Sequence, residues 1–306
     1  MQRLTAGMLP AIIGSTGTLS PLFKGATMSL SGFIQTDTRR PFIKMHGLRN
    51  HFVIVDAREL PFAPTAGEIE RLCDVQIGIG ADQLIVIEPS NSADAFMRIL
   101  NKDGREAEAC GNATRCVAWL LLNESMRDTV TLETVAGLLA CERAGDRRVR
   151  CEMGRVRRDW QKIPLARECD TLHLPVANGP LKDPVGCSVG NPHAVFFVES
   201  LDSIDIASLA PAIQNDQLFP QQVNVGVAEF IDPGQLRLQV YERGAGLTMA
   251  CGSGACAAVF AARARGMSDA DVVRVQLPGG EVEIEFDSDD VATMTGPVAY
   301  SFSGVL

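Results

Sequence analysis

Two stretches of this chain, 141 residues apart, repeat one another: Ala109-Cys110-Gly111-Asn112-Ala113-Thr114-Arg115 and Ala250-Cys251-Gly252-Ser253-Gly254-Ala255-Cys256, each running into an Ala-rich apolar segment. A repeat at that distance is domain-sized and no solenoid period, so the chain is expected to fold as two similar halves. In each copy a Cys precedes a Gly and a short polar residue, Asn112 or Ser253, the chemistry of a helix start. A sulfur there sits where unpaired backbone N–H groups and the helix dipole favour an anion. Such a thiol ionises readily.

The patterning around the repeats fills in the fold. Residues 42–56 read as a hairpin, and Thr65 with Glu68 forms a capping box that opens a short helix ending near Cys73. Strand-like runs follow at 83–88, 96–101 and 106–109, with Asp103-Gly104 as a tight turn. Residues 115–123 and 254–265 are apolar nearly all round, the mark of helices buried inside their domains. Further strand signals lie at 129–133, 149–152, 194–198, 236–241, 272–277, 282–286 and 298–302. The expected class is α/β in the α+β sense: two pseudo-symmetric domains, each a curved mixed sheet wrapped around a central buried helix. The first spans 41–155 plus 297–306, the second 156–296, and the active site lies in the cleft between them.

Composition narrows the function. The chain has 306 residues, is 46% hydrophobic and carries a net charge of −9, without the clustered Lys/Arg excess that a nucleic-acid surface needs. No apolar run reaches 18 residues, so a transmembrane helix is not expected. Nine scattered cysteines are an odd number and do not read as a disulfide framework, which points to the reducing cytoplasm. Residues 1–40, rich in Gly, Ser and Thr, read as an unpacked extension, with Met28 as an alternative start. Neither Cys110/Cys116 nor Cys251/Cys256 has zinc-site spacing, and Ile77-Gly78-Ile79-Gly80-Ala81-Asp82 lacks the third glycine of a dinucleotide fingerprint. No metal and no cofactor are implied.

Two thiols facing one substrate carbon can remove a proton from one side and return one from the other, which is racemisation or epimerisation. That chemistry needs one thiolate and one thiol, a pair that titrates as a unit. The N–H groups of Gly111, Asn112, Gly252 and Ser253 can hold a substrate carboxylate at the two helix starts. His193 and Glu242 are the candidates for tuning the thiols, Glu242 also suits an ammonium, and Arg243 offers a fork for a carboxylate. Cys73, Cys116, Cys141, Cys151, Cys169, Cys187 and Cys256 read as buried small hydrophobes. His46, His51 and His173 read as structural or surface residues.

Six segments in order resemble the diaminopimelate epimerase family: MHGLRNHFVIVDAR (45–58), GIGADQLIVIEP (78–89), MRILNKDGREAEACGNATRC (97–116), VGNPHAVFFV (189–198), Asn224-Val225, and YERGAGLTMACGSGACAA (241–258). The resemblance implies two similar α/β domains, a homodimer and interconversion of LL- and meso-diaminopimelate without a cofactor. It implies that Cys110 and Cys251 are the acid/base pair, and that Gly111, Asn112, Gly252 and Ser253 take the reacting carboxylate. Asn50, Gln83, Asn101, Asn191 and Asn224 match positions that contact substrate. Glu242 and Arg243 match the pair that reads ammonium and distal carboxylate, with His193 and Glu242 modulating the cysteines. Arg49 and His51 stand where Gly and Asp are usual, Ala113-Thr114 replaces Gly-Ala, and Phe302 takes a place often held by Tyr at the dimer contact. The same fold acting on another amino acid, a cysteine nucleophile activated by His193, and a non-catalytic amino-acid binder are the competing readings.

Overall fold

A computed structural model of the chain describes residues 40–306. The expected unpacked extension over residues 1–40 lies, up to residue 39, outside the described residues. Arg40 itself is packed: its guanidinium donates to the carbonyls of Leu60 and Pro61 and lies 4.8 Å from the centre of the Phe62 ring.

The first half runs β1 (Pro41–Gly47), β2 (Asn50–Asp56), α1 (Ala66–Cys73), β3 (Gln83–Glu88), β4 (Ala95–Asn101), β5 (Glu106–Ala107), α2 (Gly111–Ser125), β6 (Thr129–Thr134), β7 (Gly137–Arg143) and β8 (Arg148–Arg155). The second begins with a small hairpin of β9 (Ala177–Asn178) and β10 (Leu181–Lys182). It continues with β11 (Val185–Ser188), β12 (Pro192–Val198), α3 (Ile206–Gln214), β13 (Asn224–Asp232), β14 (Gln235–Glu242) and β15 (Gly246–Leu247). Then come α4 (Gly252–Ala264), β16 (Val272–Leu277), β17 (Gly280–Phe286), β18 (Val291–Pro297) and β19 (Ala299–Val305).

The strand pairings repeat as the sequence does. In the first half β1 and β2 are antiparallel, β2 and β3 parallel, β3, β4 and β5 antiparallel, and after α2 the strand β6 returns parallel to β4 before β7 and β8. In the second half β11 to β15 copy β1 to β5, and after α4 the strand β16 returns parallel to β14 before β17 and β18. The last strands of the two copies, β8 and β18, pair with each other, and β19 closes back on β1, so among the described residues 17 strands form one continuous sheet.

Each half curls around its helix. Ala113, Cys116, Val117, Ala118, Leu121 and Leu122 of α2 pack on Phe52, Ile85, Met97, Ile99 and Leu132. All of Ala255 to Ala262 in α4 is buried against Val195, Leu238, Val240, Val275 and Ile284. The many alanines let the sheet approach the helix axis closely on every side, which interior packing density requires of a helix without a solvent face. The capping box holds: Glu68 N–H donates to Thr65, and Thr65 N–H to the Glu68 carboxylate at 2.8 Å.

One element of the first half is anchored in the second. The β1–β2 turn is Leu48-Arg49, and both residues have positive φ, +54° and +64°, as a type I′ hairpin turn requires. Left-handed backbone costs a non-glycine residue roughly 1–2 kcal/mol. Leu48 recovers a similar amount, about 1.5–3 kcal/mol, by burying its side chain in the core around α4. Arg49 is exposed. Beneath the turn lies the backbone of Gly279, whose N–H donates to Met249 O at 2.7 Å; a Cβ there would drive into the Leu48 carbonyl. Gly279→Ala is therefore expected to lower stability by about 1–3 kcal/mol in urea denaturation, the range for overpacking; an unchanged midpoint would contradict this docking.

Candidate active site

Both repeated segments start a helix as their chemistry dictates. Cys110 and Cys251 are the N-cap residues of α2 and α4, each with extended backbone. Cys110 is half-buried, Cys251 is 4% exposed, and both are free thiols. The two starts converge. A Cβ placed on Gly111 would meet Met153 Cε at 2.6 Å and Met294 Cε at 2.8 Å, and one on Gly252 would meet the same two methyls at 3.7 and 3.0 Å. Across this junction Asn112 Nδ2 donates to Ala250 O at 3.3 Å, joining one start to the residue before the other cysteine.

Burial pushes the Cys110 thiol up to about 11 and the Cys251 thiol well above its ordinary value, and the Glu242 carboxylate raises both further. Backbone N–H groups of Asn112 and Ala113 act the other way on Cys110, and Ser253 Oγ, 3.6 Å from Cys251 Sγ, and the Gly254 N–H act the other way on Cys251. Glu242 is itself raised by desolvation, offset in part by Thr248, whose hydroxyl donates to Oε1 at 2.5 Å. One half-buried carboxylate thus acts on both sulfurs.

The remaining residues sit at strand ends on the side of the helix starts. Asn50 opens β2; its Oδ1 accepts from Cys110 Sγ at 3.7 Å and from Asn112 Nδ2 at 3.2 Å, and its Nδ2 donates to Asp82 at 3.1 Å. Gln83 opens β3 opposite Asn101 at the end of β4; Gln83 Nε2 donates to Asn101 Oδ1 at 2.9 Å, and Gln83 Oε1 is buried without a partner. Asn224 opens β13 beside His193, bonding Pro192 O and the Arg243 N–H, each at 2.9 Å. Asn191 Oδ1 lies 2.9 Å from His193 Nε2.

His193 makes no hydrogen bond to either sulfur. Its Nε2 is 3.1 Å from Ser253 Oγ, so it reaches Cys251 through that hydroxyl, while Nδ1 is buried and unpartnered. Burial, with Arg243 nearby, pushes its pKa down to about 3. A neutral histidine without a hydrogen bond to sulfur does not make the Cys–His dyad that nucleophilic hydrolysis needs. Glu242 and Arg243 form no ion pair with each other: Arg243 is exposed, its Nη1 donates to Gln221 O at 3.1 Å, and it has no carboxylate partner among the described residues.

Most other cysteines are core residues, but Cys169 is only half-buried, a departure from the buried expectation explained by its place in the irregular segment between β8 and β9. The sequence reading missed Asp82, which fixes Asn50 and the His51 N–H, and Thr248, which fixes Glu242. Both lie inside the quoted motifs. It also missed Arg115, which lies within the repeat itself and is the one charge in the buried stretch of α2, residues 112–118; that contradiction was the available signal.

The family model for diaminopimelate epimerase matches residues 42–158 and 186–301. The diaminopimelate epimerase of Rhodospirillum centenum is 48% identical over 269 residues, covering 87% of this chain and 92% of that protein. That of Erythrobacter litoralis is 49% identical over 267 residues, covering 87% and 97%. A hydroxyproline epimerase from Agrobacterium vitis has the same fold, with a TM-score of 0.65 at 16% identity over 89% of this chain and 94% of that one. Fold, site and relatives together define an isomerase of the epimerase class, built on a duplicated α+β unit. The chain belongs to the diaminopimelate epimerase family.

Because His193 binds a proton when unfolded at pH values where the folded protein excludes it, stability rises with pH between about 3 and 6.5 and is lost on acidification through that window. The slope from one such group reaches ~1.4 kcal/mol per pH unit. Urea denaturation at pH 4.5 and 7 is expected to show this loss in the wild type and a smaller one in His193→Gln; equal slopes would contradict the assignment.

Proposed function

We propose that this protein interconverts LL- and meso-diaminopimelate by moving a proton across one α-carbon between Cys110 and Cys251. The observation that supports this most strongly is the convergence of two cysteine-capped helix starts on one junction under the field of a single carboxylate, Glu242. One sulfur, as thiolate, takes the α-proton. The C–H electron pair delocalises into the α-carboxylate, which N–H groups of Gly111, Asn112, Gly252 and Ser253 hold at two positive helix ends. The other sulfur, as thiol, delivers its proton to the opposite face, and the pair ends with its protonation states exchanged.

Glu242 supplies the trigger. Its negative charge makes a thiolate costly in the free protein. A substrate ammonium bound at Glu242 offsets that charge, so ionisation becomes cheaper only when substrate is present. The unpartnered Gln83 Oε1 fits a further ammonium hydrogen, and the exposed Arg243 fork fits a distal carboxylate. Asn50, Asn101, Asn191 and Asn224 surround these groups with amides that read the substrate without competing as acids or bases. This set rejects amino acids lacking a second charged end, because its polar groups would then be left unpaired.

The assembly we propose is a homodimer in the cytoplasm, with no nucleic-acid or membrane partner. Tyr300 and Val305 on one side of β19 and Phe302 on the other are each at least 40% exposed, and leave apolar surface on this strand for a second copy. No helix among the described residues is long and apolar enough to cross a membrane.

Cys110→Ala and Cys251→Ala are each expected to slow inversion of LL-diaminopimelate about 10²–10⁴-fold, the scale of a lost general acid or base, when product is followed by chiral chromatography. Near-wild-type inversion by either variant would contradict the two-thiol reading.

A further inference from the structure

Arg115 has no solvent exposure and no carboxylate within ion-pair distance among the described residues, and its Nε has no partner at all. A buried guanidinium kept for stability is ordinarily paired, because an unpaired buried charge is costly. This one has been given a slot instead. A Cβ on Gly47 of β1 would lie 3.2 Å from Nη2, and one on Gly296 of β18 would lie 3.0 Å from Nε. Its Nη1 donates to Gly111 O and to Met294 Sδ, each at 3.3 Å, and its Nη2 to Asn112 Oδ1 at 2.7 Å.

These contacts set the direction of a chain of bonds. A guanidinium can only donate, so the Asn112 atom facing it must be Oδ1, which turns Nδ2 the other way. That Nδ2 donates to Asn50 Oδ1, the acceptor of the Cys110 thiol, and to Ala250 O, the residue before Cys251. One amide orientation therefore serves both cysteine caps, and Arg115 fixes it.

We propose that Arg115 is a positioning residue for the epimerisation, locking the Asn112 amide that aligns both cysteine-bearing helix starts and furnishing an uncancelled positive charge beneath the anions that form there. It rests on the two-thiol reading above. The titratable groups whose charge acts on the guanidinium are thiols: Cys151 on β8, Cys116 on α2, Cys110 at the N-cap of α2 and Cys256 on α4; Glu242 at the end of β14 is the carboxylate that acts on the two reactive sulfurs. With no carboxylate paired to it, the cation remains available to a thiolate or a substrate carboxylate.

The test uses the full chain with wild type alongside, since inversion by the wild type and its loss in Cys110→Ala and Cys251→Ala establish the underlying reading independently. In Arg115→Met, kcat is expected to fall on the order of 100-fold, the cost of a small misplacement at the reacting centre. The pH profile of Cys110 alkylation by iodoacetamide, followed by mass spectrometry, is expected to move up by about one unit. Arg115→Lys keeps the charge but not the fork, so its alkylation profile stays near wild type while kcat recovers only in part. Asn112→Asp places a carboxylate against Arg115, cancels the charge and moves the profile upward like Arg115→Met. A folded Arg115→Met with unmoved profile and kcat overturns the proposal. If that variant does not fold, wild-type kcat in Arg115→Lys or an unmoved profile in Asn112→Asp overturns it equally.

Discussion

Two buried helices point their N-termini at one junction, and the rest of the site depends on that meeting. It requires that each half of the sheet curl around its own helix and that the halves join through β8 and β18. The Asn112 to Ala250 bond and the shared methionines, Met153 and Met294, then close the remaining distance. Unpaired N–H groups at a helix start attract anions anywhere. Two such starts aimed at one place, each capped by a sulfur, supply a field that a single helix cannot.

The electrostatics of the free site run against ionisation. Burial and Glu242 hold both thiols protonated, while the helix N–H groups, Ser253 and Arg115 work toward the thiolate. Such a balance suits a site in which charge is to appear only with substrate. The neutral His193, bonded to Asn191 and Ser253, fits the same scheme: it orients a hydroxyl beside Cys251 and adds no charge of its own.

The duplicated segments made the architecture legible, because two like segments with like neighbours can only build like halves. The hairpin, the capped α1 and the two central helices lie close to where their patterns place them. What the patterns hid has local causes. Helix α3 carries Pro211 in its interior, which reads as a break. In β7 only Cys141 is buried, so alternation is weak. The short strand β11, buried at every position, shows no period at all. Within the site, reactive and charged side chains announced themselves by type. Their holders, Asp82, Thr248 and Arg115, did not, since nothing in a residue's identity says which neighbour it will fix. Leu48 shows the same limit: its burial in the opposite half's core is visible only once both halves are folded.

The account turns on two sulfurs serving opposite faces of one carbon, and the partition of solvent deuterium tests this most directly. LL-diaminopimelate is incubated with the enzyme in D₂O, and both residual substrate and early product are analysed by mass spectrometry. A two-thiol site delivers deuterium from the sulfur that did not abstract, so the first product carries one deuterium while recovered substrate keeps its protium. Equal labelling of substrate and product, or product that retains the original hydrogen, would contradict it.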